Sequence, residues 1–198
     1  MNQEKGEYPI EKDGLGVSVA LCTHNGSAFV AAQLRSILSQ SLRPREIILS
    51  DDDSSDHSVG VALDTMRVFR SANPDADVDL HLVRNKPALG VVGNFEAAIR
   101  ACSFELVALA DQDDVWVHDR LELIVEIFED DPRVVLVSTD ARLVGATGAP
   151  IGDSLFGALR VSSWELAAVN GPTPLDALIR RNLITGASSH EDTRRVDP

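Results

Sequence analysis

Short apolar runs that end in polar residues, each followed by a stretch of helical periodicity, recur along the first two thirds of this 198-residue chain. The run Val17-Ser18-Val19-Ala20-Leu21-Cys22 gives way to Thr23-His24-Asn25-Gly26-Ser27, then to apolar positions at Val30, Leu34, Ile37 and Leu38. Such spacings follow a period near 3.6 and predict an amphipathic helix behind a buried strand. The second unit is Glu46-Ile47-Ile48-Leu49-Ser50, a loop from Asp51 to Asp56, and a helix presenting Val59, Leu63, Met66 and Phe69 on one face. Pro44 marks the boundary before it. A third strand, Val78 to Val83, leads through Asn85 to Gly90 into a short helix from Asn94 to Ala101. A fourth, Leu106 to Ala110, runs straight into Asp111-Gln112-Asp113-Asp114-Val115-Trp116, with a helix over Asp119 to Phe128 and a fifth strand over Val134 to Ser138 after it. Strands and helices in alternation predict an α/β fold: a Rossmann-like, mostly parallel sheet flanked by helices.

In an open parallel sheet, ligands bind in the crevice beyond the carboxyl ends of the strands. Three of those ends carry polar side chains suited to a nucleotide and a metal: Thr23 to Asn25, Asp51 to Asp56 and Asp111 to Asp114. The last set is the sharpest. Three carboxylates this close repel one another, which raises at least one pKa unless a cation neutralises them. Magnesium or manganese binds through one or two carboxylates plus substrate phosphates and water. Taken alone, the cluster fits a helix N-cap as well as a metal site. The Asp51–Asp56 loop fits a solvated turn as well as a carboxylate contact to a base or ribose, and Thr23 to Gly26 fits a plain turn in which Gly26 supplies backbone freedom.

Composition narrows the classes. The chain is 44% hydrophobic and 25% charged, enough for one substantial core. A formal net charge of −13 argues against nucleic-acid binding, which needs basic surface, but leaves room for a small anionic ligand bridged by a cation. No apolar run reaches the roughly 18 residues of a membrane span, and residues 1–16 lack the order of a signal peptide, so the expected location is cytoplasmic. Cys22 and Cys102 suit buried, reduced thiols rather than a disulfide framework.

The ordered motifs resemble family 2 glycosyltransferases. The resemblance runs from Val17 to Ser188 through Val17 to Gly26, Gln33 to Gln40, Ile47 to Asp56, Asn85 to Gly90, Asn94-Phe95 and Leu109 to Trp116. Asp-Gln-Asp-Asp followed by an apolar residue and Trp is similar to the rhamnosyltransferase-like branch. The resemblance implies the glycosyltransferase A fold, with residues 17–140 as the nucleotide-sugar-binding half and 141–188 as the start of the acceptor half. It implies a donor site of Thr23, His24, Asn25, Asp51, Asp52, Gly90, Asn94, Asp111, Gln112, Asp113, Asp114 and Trp116, with Asp113 and Asp111 on a Mg2+ or Mn2+ ion. It implies an inverting transfer from a dTDP- or UDP-sugar to a glycan or lipid-linked acceptor, compatible with peripheral attachment at the inner membrane face.

One part of the pattern departs. The family's general base lies on a segment well beyond the metal motif, often as Glu-Asp or His-Asp. Here Asn182 to Ser188 passes into a polar stretch, 189–198, that reads as an unstructured tail and a truncated end. His190-Glu191-Asp192 follows too closely, and without an element to hold it, to serve as that base. A donor-binding but catalytically incomplete protein is therefore the alternative expectation. A phosphoacceptor signalling domain, which also gathers aspartates at strand ends, expects an acidic pair after the first strand and a lysine after the fifth. The chain has Thr23-His24-Asn25 and Thr139-Asp140 there.

Overall fold

The computed structural model describes residues 15–145, 148–172, 174–180 and 189–192. Strand β1 (Val17–Thr23) is the hub: it pairs in parallel with β2 (Glu46–Asp52) on one side and β4 (Leu106–Asp111) on the other. Strand β3 (Asp79–Asn85) adds to β2, again in parallel. All seven positions of β1 and of β2 are buried, as expected for strands covered on both faces. The edge strand β3 is largely exposed.

Helices cover both faces. Helix α1 (Val30–Leu38), α2 (Ser58–Ala72) and α4 (Arg120–Asp130) join Val19, Leu21, Ile47 and Leu49 in the larger core, where Leu34, Ile37, Leu121 and Phe128 are sealed. Helix α3 (Gly90–Arg100) covers the other face, with Ala98 packed on Ala20, Cys22, Ile48 and Val107. Because side chains alternate across a strand, Cys22, Asp52 and Asp111 fall on the α3 side and Asp51 on the opposite side. Helix α2 turns its face slightly from expectation: Ala62 is buried and Leu63 is 46% exposed. Both fit a 3.6 period from Val59 to Met66, and the smaller residue takes the closest approach to the sheet.

The last part of the chain corrects one expectation. The sheet order is β3-β2-β1-β4-β8-β5, where β5 is Leu136–Ser138 and β8 is Ser189–Asp192. The four residues of β8, read from sequence as part of a tail, form a strand antiparallel to both neighbours, filling the gap between β4 and β5. Backbone pairing stabilises such a strand whatever its side-chain polarity, which is why periodicity gave no sign of it. Strand β6 (Arg142–Val144) pairs antiparallel with β7 (Pro150–Ser154) in a separate two-stranded sheet. Among the described residues three short helices follow: α5 (Leu155–Ala158), α6 (Ser163–Val169), started by a Ser162/Glu165 capping box, and α7 (Pro174–Arg180). The segment Asn182 to Ser188, where the resemblance ends, lies outside the described residues, as do most of 1–16 and all of 193–198.

Candidate functional site

The carboxyl ends of β1, β2 and β4 meet at one edge of the sheet. Register sets the meeting: Cys22 lies opposite Asp111 and Thr23 opposite Asp51. A cleft of about 300 Å³ opens there on the α3 side, floored by Cys22 and walled by Thr23, His24, Asp52, Gly90, Asn94, Asp111, Gln112 and Asp113, with Ala88, Val91 and Phe95 as its apolar side. Eleven of the twelve predicted donor-site residues are thus either in this wall or, for Asn25, Asp51 and Asp114, in the adjoining turns. Trp116 is the exception. It is 5% exposed, joins the core with α1 and α4, and carries the Arg120 guanidinium 4.8 Å from its ring centroid. Its donor-site assignment therefore does not match its position, which is behind the acidic turn rather than in the cleft.

Most of the polar groups hold one another. Asn25 adopts φ +49°, a left-handed conformation that asparagine tolerates, and its Oδ1 accepts from Ser55 N (2.9 Å) and Ser55 Oγ (3.1 Å). Gly26 N donates to Ser58 Oγ (2.7 Å) and Ser27 N to Asp56 Oδ2 (3.1 Å), while Asp56 also accepts a short hydrogen bond from the Ser58 hydroxyl. These bonds hold the Asp56 carboxyl well below its usual pKa and fasten the β1 loop to the β2 loop. Gly26 is not the flexible residue expected: its φ is ordinary, and its need is for space, since a Cβ there would lie 1.9 Å from Gln112 Oε1. His24 Nδ1 lies 2.6 Å from the Asp52 carbonyl.

Asp51 and Asp52 separate sharply. Both oxygens of Asp52 accept backbone N–H groups at the start of α3, from Leu89 (2.7 Å) and Gly90 (2.9 Å). Asn94 is similarly internal, accepting from Asn85 Nδ2 (2.9 Å). Asp51 is 4% exposed, yet among the described residues only Oδ2 is engaged, by Ser54 N (3.2 Å), and its buried Oδ1 has no partner. It lines a second opening of about 370 Å³ that also receives His57, Arg84 and Lys86.

The acidic turn is electrostatically loaded. Burial and then the neighbouring Asp113 push the Asp111 pKa up. Burial, Asp111 and Asp113 push Asp114 up to about 6, against the pull of the partly buried Arg120. Burial and the charges of Asp111 and Asp52 raise the Cys22 thiol, so it stays protonated on the cleft floor. A cation near Asp111 and Asp113 would relieve this repulsion, and Asp114 Oδ2 is buried without a hydrogen-bond partner among the described residues. Among the described residues, no three His, Cys, Asp or Glu side chains converge enough to hold a metal by themselves. The donor set fits a hard divalent ion completed by phosphate oxygens and water.

His190-Glu191-Asp192 does have an element to hold it, strand β8. That strand sets His190 beside Ala108 and Asp192 beside Leu106, at least three positions or roughly 10 Å below Asp111 along the sheet. A cavity of about 620 Å³ between α1 and α2 is a helix-face groove away from the strand ends.

Sequence reading missed Cys22 as the cleft floor and Ser54, Ser55 and Ser58 as loop fasteners. Strand parity could have found Cys22, because it shares a face with Asp52 and Asp111. The serines follow only from the folded loops.

The family model described as "Glycosyl transferase family 2" matches residues 18–182. The UDP-Glc:alpha-D-GlcNAc-diphosphoundecaprenol beta-1,3-glucosyltransferase WfgD of Escherichia coli is 28% identical over 107 residues, covering 54% of this chain and 38% of WfgD. The dTDP-rhamnosyl transferase RfbG of Shigella flexneri is 26% identical over 106 residues, covering 52% of this chain and 34% of RfbG. The chain thus spans well under half the length of both relatives. Among solved structures, the mannosyltransferase PcManGT of Pyrobaculum calidifontis, in complex with GDP-Man and Mn2+, superposes with TM-score 0.61 at 20% identity over 96% of this chain and 49% of its own. The architecture is the glycosyltransferase A fold.

Proposed function

The chain belongs to glycosyl transferase family 2, and from that premise we propose that it binds a nucleoside-diphospho-sugar with Mg2+ or Mn2+ across the ends of β1, β2 and β4 and transfers the sugar with inversion to a glycan or lipid-linked acceptor. The observation that carries this reading is the convergence of Asp111 and Asp113 on one cleft, within a turn where burial and neighbouring carboxylates raise the pKa of Asp111 and Asp114. A bound divalent ion would supply Lewis-acid stabilisation of the charge that grows on the departing nucleoside diphosphate. Asp111 and Asp113 hold that ion. Asp114 sets the back of the turn. Asp51, with an acceptor oxygen left open, receives an N–H or O–H of the base or ribose, whereas Asp52 fixes the α3 wall that Gly90 and Val91 present to the donor. Thr23, His24 and Asn25 shape the loop over the nucleotide, and Gln112 and Asn94 hold the walls. Resemblance to the rhamnosyltransferase branch supports a dTDP- or UDP-linked deoxyhexose and a role in surface polysaccharide synthesis.

Calorimetry with UDP, dTDP and GDP tests this. At least one should bind with Mn2+ present and lose all detectable binding when EDTA removes the metal. Failure of all three with Mn2+ would sink the donor-site reading. A second reading, donor binding without transfer by these 198 residues, is favoured by the position of His190 to Asp192 well below the cleft mouth. Donor turnover separates the two.

The raised Asp114 pKa adds a pH dependence. Protons and metal compete for the same turn, so Mn2+ affinity should fall as pH drops through about 6. Without metal the sign for stability is opposite. The folded state holds the Asp114 proton more tightly than the unfolded chain does, so this group makes the fold less stable as pH rises from its usual 3.8 through about 6. Melting curves at pH 5 and pH 7, with and without Mn2+, check both signs.

A further inference from the structure

Gln112, between the two carboxylates assigned to the cation, reaches back to the β1 loop. Its Oε1 accepts from Thr23 Oγ1 (2.7 Å) and from His24 N (2.9 Å), and its Nε2 donates to the His24 carbonyl (3.2 Å). The amide thus pairs with both backbone polar groups of His24, as a neighbouring strand would, and adds the Thr23 hydroxyl. It packs over Gly26 where a Cβ would collide with it.

The rest of the turn has two anchors. Asp111 is held upstream by its register with Cys22 in the β1–β4 ladder, and Trp116 N is held downstream by Ser36 Oγ (3.0 Å). Asp113 lies between them, exposed and past the end of the ladder. Between the anchors, the side chain of Gln112 ties the turn to the β1 loop.

We propose that Gln112 is a positioning residue that carries the placement of the β1 loop, through the Thr23 hydroxyl and the His24 backbone, to the metal-binding geometry of Asp111 and Asp113. This rests on the donor-site reading above. Its consequence is that the Thr23 hydroxyl, which is not a metal ligand, affects cation affinity, and does so only while Gln112 is present.

The test is a double-mutant cycle read by Mn2+ electron paramagnetic resonance, in the presence of UDP or dTDP, whichever calorimetry shows to bind. Thr23→Val removes the hydroxyl at nearly constant volume and should weaken Mn2+ binding roughly 3- to 10-fold, the usual range for one lost hydrogen bond. Thr23→Ser keeps the hydroxyl and should restore wild-type affinity. Gln112→Ala should weaken binding by about 10-fold or more, and adding Thr23→Val to it should change nothing further. Melting curves on each variant confirm that the metal is titrated into folded protein. Two results overturn the proposal: Thr23→Val leaves Mn2+ affinity unchanged, or it weakens binding equally with and without Gln112, which would place the hydroxyl on the nucleotide instead. If the wild-type protein binds no Mn2+ with either nucleotide, the donor-site reading falls and takes this one with it. Additive variants on a wild type that binds would remove only the role of Gln112.

Discussion

Replacing Asp113 with alanine should weaken Mn2+-dependent nucleotide binding by about a hundredfold or more while leaving the melting temperature unchanged or slightly raised. The two halves of this result have different causes. Residues that merely orient a metal ligand typically cost 10- to 100-fold in affinity when removed, so a direct ligand is expected to exceed that range. The fold, by contrast, gains nothing from this side chain. Asp113 is exposed and makes no hydrogen bond or ion pair among the described residues, while its charge raises the pKa of both Asp111 and Asp114. Deleting it removes repulsion from a turn with no metal bound. Calorimetry and thermal melting on the same preparation decide the matter. A variant that binds as tightly as the wild type removes Asp113 from the site, and a variant that melts well below it shows that the turn needed the carboxylate for structure.

Asp111 sharpens the comparison. It closes β4, is partly buried, and lies on the cleft beside Cys22. Burial is the first cause of its raised pKa and the Asp113 charge the second, so its ionised form depends on a counter-ion. A helix cap, the alternative reading of these aspartates, does not fit the geometry. Helix α4 begins at Arg120, six residues beyond Asp114, and its N-cap residue is Asp119, which makes no side-chain capping bond.

What could be read from the sequence, and what could not, follows from the range of the forces involved. Strands β1, β2 and β4 and helices α1, α2 and α4 are long periodic segments whose burial is written in their own residues, and they appear where periodicity puts them. From their order the carboxyl-edge crevice follows by topology, and with it the meeting of Thr23, Asp51 and Asp111. Strand β8 was hidden because its place depends on a gap between β4 and β5 far away in sequence. The roles of the polar residues were legible only in part. Sequence identifies Asn25, Asp52, Asn94 and Gln112 as polar groups at the right edge, but a side chain that binds a ligand and one that fastens a loop have the same chemistry. Only the partners in the fold distinguish them. Trp116 illustrates the same limit: the resemblance put it in the donor site beside the acidic motif, and packing took it into the core.

Asp52 gives that distinction its largest measurable consequence. Asp52→Ala should lower stability by about 2–3 kcal/mol, because it removes charge-assisted hydrogen bonds from a buried carboxylate to two backbone N–H groups. The loss stays below the sum of two such bonds because Leu89 and Gly90 are exposed, so water can reach the freed N–H groups. For a domain of this size that corresponds to a fall of roughly 5–10 °C in melting temperature. Asn at this position keeps one acceptor but turns its own NH2 towards the second backbone N–H, so Asp52→Asn should recover about half of the loss. Nucleotide binding should weaken as well, since α3 carries Gly90, Val91, Asn94 and Phe95 into the cleft and its first turn would no longer be fastened to β2. Asp51→Asn provides the contrast. Its Oδ1 has no partner to lose among the described residues, so that variant should melt close to the wild type and show its effect in binding alone. If Asp52→Ala melts like the wild type and only Asp51→Asn is destabilised, the two neighbouring aspartates have exchanged roles, and the carboxylate facing the base or ribose is Asp52.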